Sequence, residues 1–238
     1  MVCKIANLFI NIHYEYDLIH SLCKDYIVSD HDHIDINIEK INIDKYKTEN
    51  RIEAAEVLAI LECLAENIFD YNMLLLHGAA IEYKNKAYLF MAPSGTGKST
   101  HIRYWKEVLK DVHIINGDKP IIDDKAYLYG TPWCGKERWG KPVSFKLDSL
   151  IFIERDSHNH IEKLEAKDCL NSLLKAVYLP KKEHERVFDL INKIFSNIPI
   201  YKMYCVNDVS AAKVCISEVI KWNWIKTMPS QMLWIILY

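Results

Sequence analysis

Residues 92–100 read Ala-Pro-Ser-Gly-Thr-Gly-Lys-Ser-Thr, between an apolar β-forming run at 87–91 and a helical stretch at 100–109. Strand, glycine loop and helix in that order call for an α/β layer with the loop at the edge of a sheet. The run fits a phosphate-binding loop whose first glycine is replaced by Ala92. Gly95 and Gly97 permit turns closed to other residues, so successive N–H groups point inward at an anion. The helix start adds its positive dipole end. Lys98 reaches the outer phosphates as a point charge, and the Ser99 hydroxyl suits a magnesium ion. Pro93 stiffens the approach. The candidate nucleotide-binding residues are therefore Ser94, Gly95, Thr96, Gly97, Lys98, Ser99 and Thr100. The competing reading is a glycine-rich turn that merely precedes a helix.

All seven glycines fall within residues 78–140, which concentrates irregular backbone, and with it the expected site, in that stretch. The 238 residues suffice for one α/β domain with a large core, or one domain with a small extension. Half are hydrophobic, 26% are charged and the net charge is −2, which excludes disorder and argues against a nucleic-acid binder. The cysteines (Cys3, Cys23, Cys63, Cys134, Cys169, Cys205, Cys215) are scattered, with no Cys-x-x-Cys pair and no zinc ladder. Together with the absence of a secretory leader, they predict a reduced, cytoplasmic protein. No apolar run approaches the ~18 residues of a membrane span, so none is expected.

Residues 1–70 read as an α+β lead-in packed on the remainder, 71–238. In the lead-in, 5–12 reads as one strand, 17–26 as a short helix and 34–38 as a half-buried strand with period two. Residues 50–70 form the clearest helix, with Ala54, Ala55, Leu58, Leu61, Leu64, Ala65 and Ile68 on one apolar face. Strands are expected at 73–81 and 86–91, joined by a turn at 83–85, and at 112–115, 125–129, 149–154 and 201–206. Helices are expected at 166–178, 182–195 and 209–222, the last with Asp208 as N-cap. The apolar tail 228–238 reads as a packed terminal segment.

Twenty residues after Lys98, an apolar strand ends in Asn116-Gly117-Asp118-Lys119. If that strand lies beside the loop's strand, both carboxyl ends open on one crevice, where Asp118 can hold magnesium or accept a proton from an attacking hydroxyl. A plain surface turn is the alternative. His77, followed by Gly78-Ala79-Ala80, interrupts a strong strand, either as a hydrogen-bonded core residue or as an active-site group approached across small neighbours. Residues 130–137 add Lys136, which could neutralise a phosphate, and Glu137, which could orient one or bind metal. Cys134 reads as a packing residue, and a tight hairpin without chemistry is the alternative for that segment.

His-Gly on a strand, the phosphate loop about 20 residues later, and an apolar strand ending in Asp118-Lys119 resemble the catalytic core of the HPr serine kinase/phosphorylase family, related in fold to phosphoenolpyruvate carboxykinase. Thr131-Pro132-Trp133-Cys134-Gly135-Lys136-Glu137 resembles its small subgroup associated with peptide modification, including kinases of lasso-peptide precursors. The likeness covers about residues 73–180. It implies an α/β, P-loop-containing HPr kinase/PEP carboxykinase-like core (71–238) with a mixed sheet and the α+β N-terminal extension. It further implies ATP and Mg2+ as cofactors, Lys98, Asp118 and His77 as catalytic groups, Ser99 and Asp118 at the metal, and Lys136, Glu137 and Lys119 near phosphate or substrate. The expected reaction is transfer of the γ-phosphoryl group to a serine or threonine hydroxyl of a peptide or small-protein acceptor, with a homo-oligomer left open. Gly117 stands where those kinases carry the first of two aspartates, usually the base, and Lys119 where they often carry arginine. Two alternatives stay open: a non-catalytic nucleotide-binding partner in a peptide-modification assembly, and a small-molecule kinase.

Overall fold

The computed structural model describes residues 1–46, 52–178 and 184–227. The first two residues of the expected 50–70 helix, the start of the 182–195 helix and the apolar tail lie outside the described residues. The protein is a mixed α/β structure with mixed sheets and, among the described residues, six α-helices. In the lead-in, residues 5–12 form a hairpin rather than one strand. Ala6 and Asn7 take left-handed φ of 51° and 64° between β1 (Val2–Ile5) and β2 (Leu8–Ile12). β3 (Ile36–Ile38) adds in parallel to β2. The sheet packs with α1 (Asp17–Cys23) against α2 (Ile52–Ile68).

The buried face of α2 is rotated from the expected stripe. Ala59 and Ile60 are buried, while Leu58 is 49% exposed. The helix is apolar around much of its circumference, so spacing alone does not fix which side faces inward. Among its buried residues is Glu56, whose carboxylate accepts the backbone N–H groups of Glu15 (2.6 Å) and Tyr16 (3.1 Å) at the start of α1. The burial of a charge is offset here by two charge-assisted bonds.

The expected 73–81 strand breaks at His77-Gly78. Its halves are β4 (Met73–Leu75) and β5 (Ala79–Tyr83), which pair with different neighbours. The turn at 83–85 is observed: Lys84 and Asn85 take φ of 52° and 61° and return the chain into β6 (Lys86–Met91). After the loop come α3 (Lys98–Val108), β7 (His113–Asn116), β8 (Ile121–Asp123), β9 (Tyr127–Tyr129) and the long β10 (Ser144–Arg155). β11 (His160–Leu164), α4 (Ala166–Ala176), α5 (His184–Phe195), β12 (Ile200–Cys205) and α6 (Val209–Thr227) follow. Asp208 does cap α6, accepting the Ser210 N–H at 2.7 Å.

β10 belongs to two sheet regions. Its first residues pair antiparallel with β9, in the run β4-β8-β9-β10. From Leu147 it pairs in parallel with β6, with a register shift between Leu147 and Ser149, and from Leu150 also with β12. The second region therefore runs β7-β5-β6-β10-β12-β11. Successive strand residues face opposite sides. Tyr88, Phe90, Ile151 and Ile153 pack under α3 and α6, while Leu89, Met91 and Leu150 pack under α4 and α5. Trp105 of α3, fully buried, sits edge-on to Phe90 at 5.4 Å and tilted on Tyr88 at 5.3 Å, fixing the helix that follows the loop.

Glu56→Ala is expected to destabilise the fold by about 1.5–3 kcal/mol, because two backbone donors lose a charged acceptor. Denaturant unfolding monitored by circular dichroism measures it, with Glu56→Gln recovering part of the loss.

Candidate functional site

Sheet polarity decides which residues meet. β6 and β7 are not adjacent, as their order in the chain suggests; β5 lies between them and is antiparallel to both. They nonetheless point the same way, so the loop after Met91 and the turn after Asn116 emerge at one edge. His77-Gly78, just before β5, arrives at that edge too, as do the carboxyl ends of β10 and β12.

His77 Nε2 lies 3.3 Å from Asp118 Oδ1, and Lys119 Nζ lies 3.1 Å from Asp118 Oδ2. The Gly78 N–H donates to the Asp118 carbonyl (3.0 Å), and the His77 N–H donates to the Ala176 carbonyl at the end of α4 (2.6 Å). Burial pushes the Asp118 carboxyl up, but the His77 hydrogen bond and the Lys119 charge outweigh it and hold the group below its ordinary value. Asp118 is thus a carboxylate braced on both oxygens. Lys119 also spreads over the Tyr178 ring, 5.4 Å from its centre.

Across from this group, Gly95 and Gly97 take φ of 78° and 121°, and Gly97 opens α3 without a side-chain cap. The first-turn N–H groups of α3 are left for an outside acceptor. Lys98 is buried; its ammonium donates to the Ala92 carbonyl at 2.7 Å. Burial lowers its pKa, and the nearby Asp118 charge opposes that shift. Ser94 is exposed, and Thr96, Ser99 and Thr100 are half-buried. One turn along α3, His101 is buried and its pKa is pushed down to about 4, so it is a neutral ring accepting the Trp105 indole N–H at 3.2 Å.

The other two candidates are placed differently. Glu137 is turned toward α3, where Oε1 meets Arg103 at 3.3 Å, with Arg103 also stacked over Trp139. Lys136 is exposed, and among the described residues no hydrogen bond or ion pair joins it to the loop. Cys134 is buried, its thiol pushed up by burial, in keeping with packing rather than reactivity.

Several organising residues carry no motif. Asn116, fully buried, accepts the N–H groups of Asp118 (2.8 Å) and Lys119 (2.7 Å) on its side-chain oxygen. Its side-chain nitrogen donates to the carbonyl and hydroxyl of Thr131. The Asn-Gly pair was a readable turn signal. Arg155, at the end of β10, donates to the carbonyls of Gly95 (2.6 Å) and Thr96 (3.0 Å) and clamps the loop; its place after an apolar strand was the only hint.

Two spaces border the loop. On the α3 side a recess of about 290 Å³ is lined by Thr96, Gly97, Thr100, Tyr104, Arg155 and Asn207 among others. On the α4 side a cleft of about 630 Å³ begins at His77, Ala92 and Pro93 and extends past Glu154, Ser172 and Lys175. His77 lines the cleft while touching Asp118, so it joins this space to the carboxylate.

Gly117 is fixed by contact. A Cβ there would meet the Cys134 carbonyl at 2.5 Å and Trp139 Cβ at 3.3 Å. The position that carries an aspartate in the resembling kinases is closed to any side chain as the 131–140 segment now packs. Gly117→Ala is expected to cost about 1–3 kcal/mol of stability through overpacking, read from the shift in the denaturation midpoint. No known protein-family model matches the chain, and no curated protein matches it in sequence.

Proposed function

We propose that the protein is an ATP-dependent phosphotransferase, a kinase that moves the γ-phosphoryl group onto a serine or threonine hydroxyl of a peptide or small protein. The observation that carries the reading is the His77–Asp118–Lys119 cluster at the same sheet edge as the glycine loop. The donor set fits a triphosphate with magnesium. The loop offers backbone N–H groups and an uncapped helix start, Lys98 offers a charge now resting on a carbonyl, and Ser99 and Asp118 offer hard oxygens. Bound there, Mg2+–ATP would supply the transferable phosphoryl group and charge neutralisation at the bridging oxygens.

Lys98 exchanges the Ala92 carbonyl for phosphate oxygens and neutralises charge as it develops. The recess on the α3 side is the space for the nucleoside, and Arg155 holds the loop's backbone in register. The acceptor hydroxyl approaches from the α4-side cleft and meets the His77–Asp118 pair. Asp118, ionised, orients the hydroxyl and takes its proton, with His77 fixing the carboxylate. Glu137 stands beside this group, one oxygen engaged with Arg103. Lys119 counters the Asp118 charge beside the incoming phosphates. The closed position at Gly117 favours a second reading, a nucleotide-binding partner without transfer chemistry, since only one carboxylate serves the turn.

Incubation with γ-labelled ATP, magnesium and serine- or threonine-containing peptides separates the two: label transfer supports the kinase, and nucleotide binding without turnover supports the partner. Lys98→Ala is expected to lower transfer by about 10²–10³-fold with the fold intact, and full activity would remove the loop from the mechanism. Asp118→Asn is expected to lower kcat by about 10²–10⁴-fold. The pH profile gives a further check. Asp118 titrates below the ordinary carboxylate range, so transfer is sustained at and above that range and falls as acid protonates the group. The stability that Asp118 draws from His77 and Lys119 has the same sign, present above the unfolded carboxylate value and lost as pH drops through the lowered one. In Asp118→Asn this acid limb is absent, as read from rate–pH and melting–pH profiles.

A further inference from the structure

The connection between β10 and β11 carries Asp156 and His158, with His160 opening β11, and the ligating atoms of all three lie within 4.8 Å of one another. The kinase reading uses none of them. His160 Nδ1 is 3.9 Å from Asp156 Oδ2, and His158 Nδ1 is 4.0 Å from Asp156 Oδ1. A zinc ion with bonds of ~2.0–2.2 Å holds tetrahedral ligand pairs roughly 3.3 Å apart, so the three atoms, now within 4.8 Å of one another, must draw together by up to about 1.5 Å. His158 and His160 are exposed and Asp156 is half-buried, so that closure falls on side-chain rotation.

The backbone beneath them is fixed. The Asp156 N–H donates to the Cys205 carbonyl (3.1 Å) and the Val206 N–H to Asn159 Oδ1 (3.0 Å). Asn159 Nδ2 donates to Ser210 Oγ at 2.6 Å. His160 stacks on Tyr204 with centroids 4.2 Å apart and planes at 8°, and His158 stacks on His160 at 5.1 Å. The Ser157 N–H and hydroxyl donate to Asp156 Oδ1 (2.6 and 3.1 Å), and the hydroxyl also lies 3.1 Å from His158 Nδ1. The Ser157 contacts fall on Asp156 Oδ1 and His158 Nδ1 themselves, so they give way as those atoms turn to an ion, while the ring stacking and the Asn159 bonds hold the segment in place.

We propose that Asp156, His158 and His160 bind one divalent transition-metal ion of the zinc type, with water completing its coordination. Two imidazoles select zinc, nickel or copper over magnesium and calcium, so this centre is chemically separate from the magnesium expected at Ser99 and Asp118. Asp156 also lines the recess beside the loop, and the adjacent Arg155 clamps the loop carbonyls, so the ion sits at the rim of that recess.

The test is calorimetric titration of the full chain with Zn2+ alone, which is independent of the kinase reading. The wild type is expected to bind about one equivalent more than His158→Ala/His160→Ala, whose melting curve matches because the sites are exposed. Ser157→Ala is expected to keep that equivalent, since it removes no ligand and frees Asp156 Oδ1 and His158 Nδ1 of a competing hydroxyl. Equal stoichiometry and affinity in wild type and double variant overturn the proposal. Cobalt provides the second readout. The wild-type-minus-variant spectrum is expected to show d–d bands without thiolate charge transfer, and a thiolate band in that difference overturns the assignment by placing the metal on cysteine.

Discussion

The direction of β5 is the constraint on which the rest of the site depends. Because it runs against both neighbours, β6 and β7 are forced parallel although they never touch. One strand inserted between them sets three things at a single edge: the glycine loop, the Asp118 turn and His77. The register shift in β10 serves the same end. It lets one strand close the β4–β8–β9 layer with its first residues and still deliver Arg155 to the loop with its last. An edge built from carboxyl ends of parallel strands is where α/β sheets place ligands.

Within that edge, precision comes from close backbone approach rather than from side-chain contacts. Gly117, Gly130 and Gly140 each lie where a Cβ would strike a backbone carbonyl at 2.0–2.6 Å. The 130–141 excursion can therefore lie flat along β7, with the Lys141 N–H donating to the Ile115 carbonyl. Asn116 replaces the missing side-chain framework by bonding the turn on one end and Thr131 on the other. A second aspartate at 117 and this packing are mutually exclusive. The packing over Gly117 thus leaves Asp118 as the turn's single acid.

What could be read from the sequence divides along the same line. The loop, the hairpin at 83–85, the Asp208 cap and most strands announce themselves because their signals are local: positive-φ residues, period-two runs and capping side chains. The 5–12 hairpin was missed because Ala6 is not a turn-forming residue, and the 73–81 strand was drawn through His77 because its apolar run continues on both sides. β8 and β11 were missed for their shortness and their mixed polarity. Arg155 left no periodic trace, since its bonds go to a distant main chain, whereas the Asn116-Gly117 pair was a readable turn signal and its side-chain bonds to Asp118 and Lys119 are local. Glu137 engages Arg103 with one oxygen and Lys136 is exposed, placements that residue chemistry alone does not predict.

The lead-in packs against the segment that walls the Asp118 turn. The Trp133 indole donates to the Val57 carbonyl in α2 at 3.2 Å, and its ring belongs to the same buried cluster as Ile60, Leu61 and Leu64. Trp133 is one residue from Cys134, whose carbonyl closes the space over Gly117. Asn7 reaches Tyr129, which in turn donates to Asp123 at the end of β8. The chain of contact therefore runs from α2 through Trp133 and Cys134 to the Asp118 turn, so the packing of the lead-in and the closure over Gly117 belong to one buried arrangement.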